Sequence, residues 1–246
     1  MYPVAIIGGT GLSEFCEGRI VGERQTPFGN TSADLIAAEC SGQRFVFLAR
    51  HGNPHTIPPH CVNYRANIWA LKQMGVKHIV AVNAVGGINP AMPAGSLVFP
   101  DQLIDYTYGR QHSYSDSDQV ALHHIDFSEP FAPSMVEQLK TAATNLGLKH
   151  QTPAVYAVTQ GPRLETAAEI DRLERDGCDI VGMTAMPEAG LAAELNVAYA
   201  SICLVVNPAA GRSDKLITLD DIHAVLDAGM GDIKSLLEHL IPRLRQ

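Results

Sequence analysis

The amino-acid sequence predicts an α/β fold with a mixed, largely parallel central sheet flanked by helices. Short continuous apolar runs recur along the chain and end in glycine or polar residues, which is typical of strands buried on both faces of a parallel sheet. Segments with helical spacing of apolar residues separate several of these runs, and most of them end at a glycine. Because no linker, repeat or low-complexity stretch interrupts residues 1–246, we expect a single domain.

Six apolar runs are predicted as strands. The first three are residues 3–7, 45–49 and 79–82, and they lead into Gly8-Gly9-Thr10-Gly11, Arg50-His51-Gly52 and Asn83-Ala84-Val85-Gly86-Gly87. The other three are residues 155–158, 180–181 and 200–206, and they are followed by Gln160, Met183-Thr184 and Asn207. In open sheets of this kind, ligands bind at the carboxyl ends of the strands, so we expect these residues to converge on one pocket.

Four segments are predicted as helices. Residues 62–74, 133–146 and 166–176 are each followed by a glycine, which favours the left-handed conformation that ends a helix. The fourth segment, residues 218–244, begins with Thr218 as a capping residue and has Asp220 and Asp221 in its first turn. Acidic residues at that position are stabilised by the helix dipole.

Composition restricts the class of partner. The 246 residues carry a net charge of −8 without any run of Lys or Arg, which argues against a nucleic acid or an anionic membrane surface as partner. Met1 leads directly into the first strand with no basic signal segment, and the five cysteines form no C-x-x-C pair. We therefore expect a cytoplasmic protein with reduced, mostly buried thiols and a small-molecule ligand.

The residues that follow the first three strands favour phosphate as that ligand. Glycine leaves backbone amides open, while Thr10, Arg50 and His51 offer a hydroxyl, a guanidinium and an imidazole. These groups donate hydrogen bonds to oxyanions, and arginine binds them in a bidentate manner.

Other interpretations of the same motifs are weaker. The glycine turn lacks the third glycine of a dinucleotide fingerprint, because Glu14 occupies that position, and no Gly-Lys-Ser/Thr follows it. The histidines between residues 51 and 60 cannot adopt helical i, i+4 geometry, because three prolines interrupt that stretch, and no carboxylate or cysteine completes the set, so we expect no metal. A serine hydrolase would need a G-x-S-x-G elbow, which is not present in the sequence.

Five segments together resemble the trimeric methylthioadenosine and purine nucleoside phosphorylases, over nearly the whole chain. They are Gly8-Gly9-Thr10-Gly11-Leu12, Leu48-Ala49-Arg50-His51-Gly52, His55-Thr56-Ile57-Pro58, residues 62–72, and Gly182-Met183-Thr184-Ala185-Met186-Pro187-Glu188. Members of that family cleave a purine nucleoside with inorganic phosphate to a free base and a ribose 1-phosphate. The resemblance implies no metal and no organic cofactor, with phosphate as a co-substrate.

The resemblance also implies roles for individual residues. It assigns phosphate binding to Thr10, Arg50, His51, the Ala84 amide region and Thr184, and it places Met183 against the ribose. His124 matches a segment that reaches into the active site of a neighbouring subunit, which implies a homotrimer.

The positions at which this chain differs from the adenine-specific members predict which purine base the substrate carries. Those enzymes carry Asp-x-Asp after the last buried strand, whereas this chain has Asn207-Pro208-Ala209, as in members that act on 6-oxopurines. Glu165 also matches the 6-oxopurine enzymes. A carboxylate accepts a hydrogen bond from N1–H of hypoxanthine but repels the lone pair at N1 of adenine, so a hypoxanthine-like base is expected.

The residues expected near the 5′ end of the sugar predict a methylthio group at that position of the substrate. Leu219 aligns with a histidine that binds the 5′-hydroxyl in inosine-cleaving enzymes, although His223 follows one turn later. The expected substrate is therefore 5′-methylthioinosine, cleaved by a displacement at C1′ in which Asn207, Arg50 and His51 are the catalytic residues.

Methylthioadenosine phosphorylase and broad 6-oxopurine nucleoside phosphorylase activities remain alternatives. A non-catalytic nucleotide-binding module is the alternative of a different class, and an NAD-dependent oxidoreductase is disfavoured by Glu14.

Overall fold

The structure, a computed structural model, describes residues 2–12, 18–116 and 118–244. Within these residues there are thirteen strands, namely β1 (Val4–Gly8), β2 (Arg19–Val21), β3 (Gln25–Thr26), β4 (Gly29–Asn30), β5 (Leu35–Cys40), β6 (Gln43–Ala49), β7 (His78–Gly87), β8 (Leu97–Val98), β9 (Gln102–Asp105), β10 (His150–Gln151), β11 (Val155–Val158), β12 (Ile180–Gly182) and β13 (Ala198–Pro208). The α-helices of the same residues are α1 (Tyr64–Gln73), α2 (Pro133–Asn145), α3 (Ala167–Arg175), α4 (Ala185–Glu194) and α5 (Leu219–Leu240).

The predicted fold class is confirmed, because the described residues form a mixed sheet of eleven strands with helices packed against it. Four neighbouring strands, in the order β6, β1, β7 and β13, run parallel. The antiparallel pairs β5–β6, β12–β7 and β13–β8 extend the sheet around this parallel centre. The apolar runs predicted as strands and the four predicted helices all occur at these places in the chain.

Two predicted boundaries were wrong by more than two residues. The strand predicted for residues 79–82 continues to Gly87, because residues 83–87 pair with β13 on one side and with β12 on the other. Gly87 is needed there, since a Cβ atom would come within 2.4 Å of the Met92 carbonyl oxygen. The last helix ends at Leu240 and is followed by a short 3₁₀ turn, Ile241–Arg243.

Strands β2, β3, β4, β8, β9 and β10 were not predicted, nor were two longer elements, α4 and β5. Helix α4 is almost entirely apolar, with seven of its ten residues buried, so it lacks the polar face that reveals a surface helix. Apolar and polar residues alternate too weakly in β5 for the sequence to reveal a strand. It is held by its antiparallel pairing with β6. Both elements depend on tertiary contacts: α4 packs against α1 and β13.

The register of the parallel strands aligns the residues that follow them. Gly8 of β1 lies opposite Ala49 of β6, and Ile7 lies opposite Ala81 of β7. Along β7 and β13 the pairing shifts between Val205 and Asn207, so that Asn207 faces Gly86. This β-bulge turns the end of β13. The carboxyl ends of four strands therefore meet at one edge of the sheet.

The thiol prediction is partly wrong. Cys178 and Cys203 are buried and Cys40 is half-buried, but Cys61 is exposed, and these four described cysteines form no disulfide. Burial raises the pKa of the Cys203 thiol to about 12, which keeps it protonated. Among the described helices, none is long and apolar enough to cross a membrane.

Candidate active site

A cavity of about 420 Å³ lies at the carboxyl ends of the parallel strands. Residues from all four strand ends line it, together with the loop before α3, the start of α4 and one face of α5. The predicted site residues that line it are Arg50, His51, Ala84, Glu165, Met183, Thr184, Asn207 and Ala209. The structure thus brings together most of the side chains that the sequence proposed, from segments far apart in the chain.

Arg50 follows β6 and is held by a buried carboxylate. Its Nε and Nη2 atoms each donate to Glu188 at 2.8 Å, and Nη1 donates to the Val82 carbonyl at 3.2 Å. Glu188, in α4, is fully buried and also accepts from the Tyr199 hydroxyl at 2.9 Å. Burial alone would lower the pKa of Arg50, but the Glu188 carboxylate more than offsets this and raises it above its usual value. One N–H remains on each of Nη1 and Nη2 to bind an anion.

His51 is neutral at physiological pH. Burial, aided by the nearby Arg50 charge, lowers the pKa of its imidazole to about 4. Its Nδ1 lies 2.8 Å from the Ile57 carbonyl oxygen, which accepts only, so Nδ1 carries the proton and Nε2 is an acceptor. His55 stacks on it, with ring centroids 4.5 Å apart. The ring is thereby held in one orientation and one tautomer.

Thr184 lies directly before α4 and belongs to a buried polar chain beneath the cavity. Its hydroxyl donates to the Asn83 Oδ1 atom at 3.0 Å, and the Asn83 amide donates to the Ser201 hydroxyl at 2.6 Å. All three residues are buried. These bonds fix Thr184 on the cavity wall beside Met183.

Glu165 and Asn207 are the polar groups predicted to bind the base. The Thr159 hydroxyl donates to one Glu165 carboxylate oxygen at 2.6 Å, which leaves the other oxygen open as an acceptor. The Asn207 amide nitrogen donates to the Pro208 carbonyl at 2.7 Å, so its side-chain oxygen is open as well. Ala209 is buried and adds no polar group.

Helix α5 forms an apolar part of the cavity. Ile222, Leu226 and Met230 lie at a spacing of four residues and line it, with Ile217 before the helix and Ile233 after them. His223 and Asp227 also reach the lining and are exposed at its rim. Leu219, the first residue of α5, does not line the cavity and is 71% exposed. The apolar wall that was predicted there is built by later turns of the helix.

The remaining predicted residues are placed as follows. Gly9 and Gly11 line the cavity on either side of Thr10, whose own side chain is outside the described part of the chain, as is Glu14. Pro208 is exposed and is not among the lining residues, because the bulge turns it outward. His124 is exposed and does not line the cavity of its own chain.

Several contributing residues were not predicted as site residues. Glu188 was the most recognisable of them, since it is an isolated carboxylate in an otherwise apolar and small-residue segment, and such a charge needs a buried partner. Asn83 was expected at the pocket only as part of the segment after the third predicted strand, and the apolar α5 residues carried no comparable signal. Among the described residues, no group of three or more His, Cys, Asp or Glu side chains is arranged to hold a metal ion.

A mixed sheet with a polar and apolar cavity at the carboxyl ends of its parallel strands is typical of enzymes that act on small molecules. Residues 3–242 match the family model described as the phosphorylase superfamily, and the chain belongs to that family. The family predicted from the motifs is thereby confirmed. Its relatives are nucleoside phosphorylases, which are pentosyltransferases, so the chain is an enzyme of this class.

Individual relatives are similar over nearly their full length. A probable S-methyl-5′-thioinosine phosphorylase of Pseudomonas syringae is 52% identical, with 98% of this chain and 99% of the relative covered. A 6-oxopurine nucleoside phosphorylase of Pyrococcus furiosus is 42% identical, with 98% and 93% covered. The solved structure of methylthioadenosine phosphorylase from Schistosoma mansoni in complex with adenine has a TM-score of 0.91 at 32% identity, with 99% of this chain and 92% of that chain covered.

Proposed function

We propose that the protein cleaves 5′-methylthioinosine with inorganic phosphate, giving hypoxanthine and 5-methylthioribose 1-phosphate. The observation that supports this most directly is the combination of Glu165 and Asn207 with an apolar α5 wall in one cavity. The similarity to probable S-methyl-5′-thioinosine phosphorylases and to a 6-oxopurine nucleoside phosphorylase agrees with that combination.

The hydrogen-bond donors of hypoxanthine distinguish it from adenine. N1–H of hypoxanthine donates to the open carboxylate oxygen of Glu165, whereas N1 of adenine would place a lone pair against it. The Asn207 oxygen accepts from N7–H as the base leaves, and the second hydrogen of its amide nitrogen donates to O6. An asparagine serves a 6-oxo group better than a carboxylate, which would repel O6.

Phosphate binds beside the ring of the sugar, at Arg50, Thr184 and the backbone near Ala84, with Thr10 as a further ligand. The Nε2 atom of neutral His51 accepts a hydrogen bond from the P–OH group of hydrogenphosphate. An oxygen of phosphate forms the new bond to C1′ while the bond from C1′ to N9 breaks. The electron pair of the broken bond stays with the purine, which takes up a proton from water at N7. The negative charge of phosphate stabilises the positive charge that develops on the sugar. Positioning and electrostatic stabilisation then supply most of the rate enhancement.

The methylthio group is accommodated by the apolar face of α5. A methylthio group transferred from water to such a wall is stabilised in proportion to the apolar area that it buries. A 5′-hydroxyl buried there without a partner costs about 1–3 kcal/mol, which favours methylthioinosine over inosine. His223 at the rim is the residue that reduces this preference.

The proposal extends to the assembly and its surroundings. A homotrimer in which His124 enters a neighbouring cavity accounts for the exposure of that residue in one chain. We assign residues 1–246 to one domain and the reaction to substrate and phosphate alone, without cofactor. The free, exposed thiol of Cys61 agrees with a reducing compartment such as the cytoplasm.

The test is an assay of purified protein with methylthioinosine, methylthioadenosine and inosine, each with and without phosphate. We expect turnover only with phosphate and the highest kcat/KM for methylthioinosine. Equal cleavage without phosphate would identify a hydrolase, and equal use of inosine a broad 6-oxopurine enzyme. Binding of nucleoside without any phosphate-dependent turnover would identify a non-catalytic binding module.

A further inference from the structure

Arg110, in the loop after β9, is buried and donates to acceptors from three segments of the chain. Only 9% of it is exposed. Its Nη1 atom donates to the carbonyls of Met183 at 2.8 Å and Met186 at 2.6 Å. Its Nη2 atom donates to the carbonyls of Thr159 at 3.2 Å and Gln160 at 2.7 Å, and Nε donates to the Gln160 side-chain oxygen at 3.1 Å.

All these acceptors are neutral oxygens. None of the ion pairs found in the described part of the chain includes Arg110. The Tyr64 hydroxyl, at 3.4 Å from Nη1, adds a further neutral acceptor. A planar guanidinium presents donors in fixed directions, so it holds several carbonyls at set distances from one another in a way that a lysine does not.

The two sets of carbonyls belong to different parts of the cavity. Thr159 and Gln160 lead into the loop of Glu165, and the Thr159 hydroxyl itself holds the Glu165 carboxylate at 2.6 Å. Met183 lines the cavity next to Thr184, on the segment proposed to contact ribose and phosphate. Arg110 is not among the lining residues, so it reaches both parts from behind the cavity wall.

We propose that Arg110 is a positioning residue that sets the distance between the base site and the ribose and phosphate site. This inference rests on the proposed function, because it assigns Glu165 to the base and Met183 with Thr184 to the sugar and phosphate. In-line displacement at C1′ requires phosphate and purine on opposite sides of one carbon atom. A residue that fixes both sides at once therefore contributes to kcat through geometry, without touching either substrate.

Replacement of Arg110 by methionine tests the proposal. Each half of the site keeps its own contacts, so we expect KM for phosphate to change less than about threefold. A misplacement of about 1 Å lowers turnover on the order of 100-fold, so we expect kcat to fall by about 10- to 100-fold. Arg110→Lys keeps the charge but not the planar donors, and we expect an intermediate kcat.

The matched control is Arg24→Met. Arg24 also donates to two backbone carbonyls, those of Thr31 and Ser32, and does not line the cavity. We expect its kcat to equal that of the wild type. Adding methylguanidinium to Arg110→Ala is a second measurement, and we expect a partial, concentration-dependent recovery of kcat with no such effect on Arg24→Ala.

Three results would overturn the proposal. One is a folded Arg110→Met protein, judged by its thermal unfolding, with kcat within twofold of the wild type. Another is a loss that lies wholly in KM for phosphate, which would identify Arg110 as a phosphate ligand. The third is an Arg110→Lys protein with unchanged kcat, a measurement that also decides the case if the methionine and alanine variants do not fold. A wild-type protein without phosphorolysis would refute the proposed function itself, whichever result the variants give.

Discussion

Asn207 lies at the bulge of β13 and is proposed to read the base together with Glu165. The bulge matters because it places Asn207 opposite Gly86. A Cβ atom on Gly86 would lie at an ordinary contact distance of 3.5 Å from the Asn207 amide nitrogen, and only 3.1 Å from the Val181 side chain. The sequence predicted that Asn207 binds the base, but the position of its side chain depends on the pairing of β13 with β7.

Replacing Asn207 by aspartate should shift the preference toward methylthioadenosine. A carboxylate accepts from both N7–H and the 6-amino group of adenine, and it repels O6 of hypoxanthine. We expect the ratio of kcat/KM for methylthioinosine to that for methylthioadenosine to fall by about 10-fold or more, equivalent to about 1.4 kcal/mol. Kinetics with both nucleosides measure this ratio, and an unchanged value would show that Asn207 does not contact the base.

His51 should make the stability of the fold depend on pH. Its pKa is about 4 in the folded protein and near its usual value of 6.5 in the unfolded chain, so the unfolded chain takes up the proton first. The free energy of unfolding therefore decreases as pH falls from about 6.5 to 4, by about 1–2 kcal/mol for this partly exposed ring. Urea unfolding between pH 4 and 8 measures the slope.

The controls for this pH dependence are two asparagine substitutions. His51→Asn removes the titrating ring, so we expect a shallower loss of stability below pH 6.5. His60→Asn removes an exposed histidine from the same loop region and should leave the slope unchanged. Equal slopes for the wild type and His51→Asn would contradict the assignment.

At the scale of an element, α5 shows how a correctly predicted helix can leave its active face undetermined. Ile222, Leu226 and Met230 recur every four residues and form one stripe along the cavity. Leu219 lies on the turn before that stripe, at the very start of the helix, where it extends past the cavity. Periodicity predicts which residues share a face, but not how far along the helix the partner surface extends.

The discrimination between inosine and methylthioinosine should therefore depend on His223 rather than on Leu219. His223→Leu removes an imidazole from the rim of the cavity, so we expect kcat/KM for inosine to fall several-fold relative to methylthioinosine. Leu219→His is the matched control, and its exposed side chain should leave the ratio unchanged. A shift of the ratio by Leu219→His alone would restore the original assignment of that residue.

At the scale of the whole molecule, one chain exposes large apolar side chains outside its cavity. Leu122 is 73% exposed and lies two residues before His124, in the segment proposed to enter a neighbouring subunit. Exposed apolar residues close to such a segment are typical of an interface between subunits. The structure of one chain shows the exposed apolar surface around Leu122, and the homotrimer that would cover it is our proposal.

Introducing a charge at Leu122 should weaken the proposed trimer. We expect the wild type to sediment with the mass of three chains, and Leu122→Asp to dissociate at low protein concentration with a parallel loss of activity. Ile20→Asp, a change at another exposed apolar residue that is 65% exposed, serves as control and should alter neither property. A fully active wild-type monomer in analytical ultracentrifugation would contradict the role given to His124.

The sequence by itself determined the class of fold, six of the strands and four of the helices, and the residue types at the strand ends. These features depend on local periodicity, capping and composition, which act over a few residues. It also showed the family, because the motifs at those strand ends are specific in combination. The longest elements that escaped prediction, α4 and β5, are stabilised by burial and pairing that no local pattern encodes.

Only the tertiary structure decided how the predicted residues are held. Arg50 pairs with Glu188, 138 residues away, and Arg110 connects two loops that are separate in the chain. It also decided that later turns of α5, and not Leu219, line the cavity. Such contacts depend on strand register and helix packing across the whole molecule, because the energy of a buried charge or hydrogen bond is set by which partner arrives next to it.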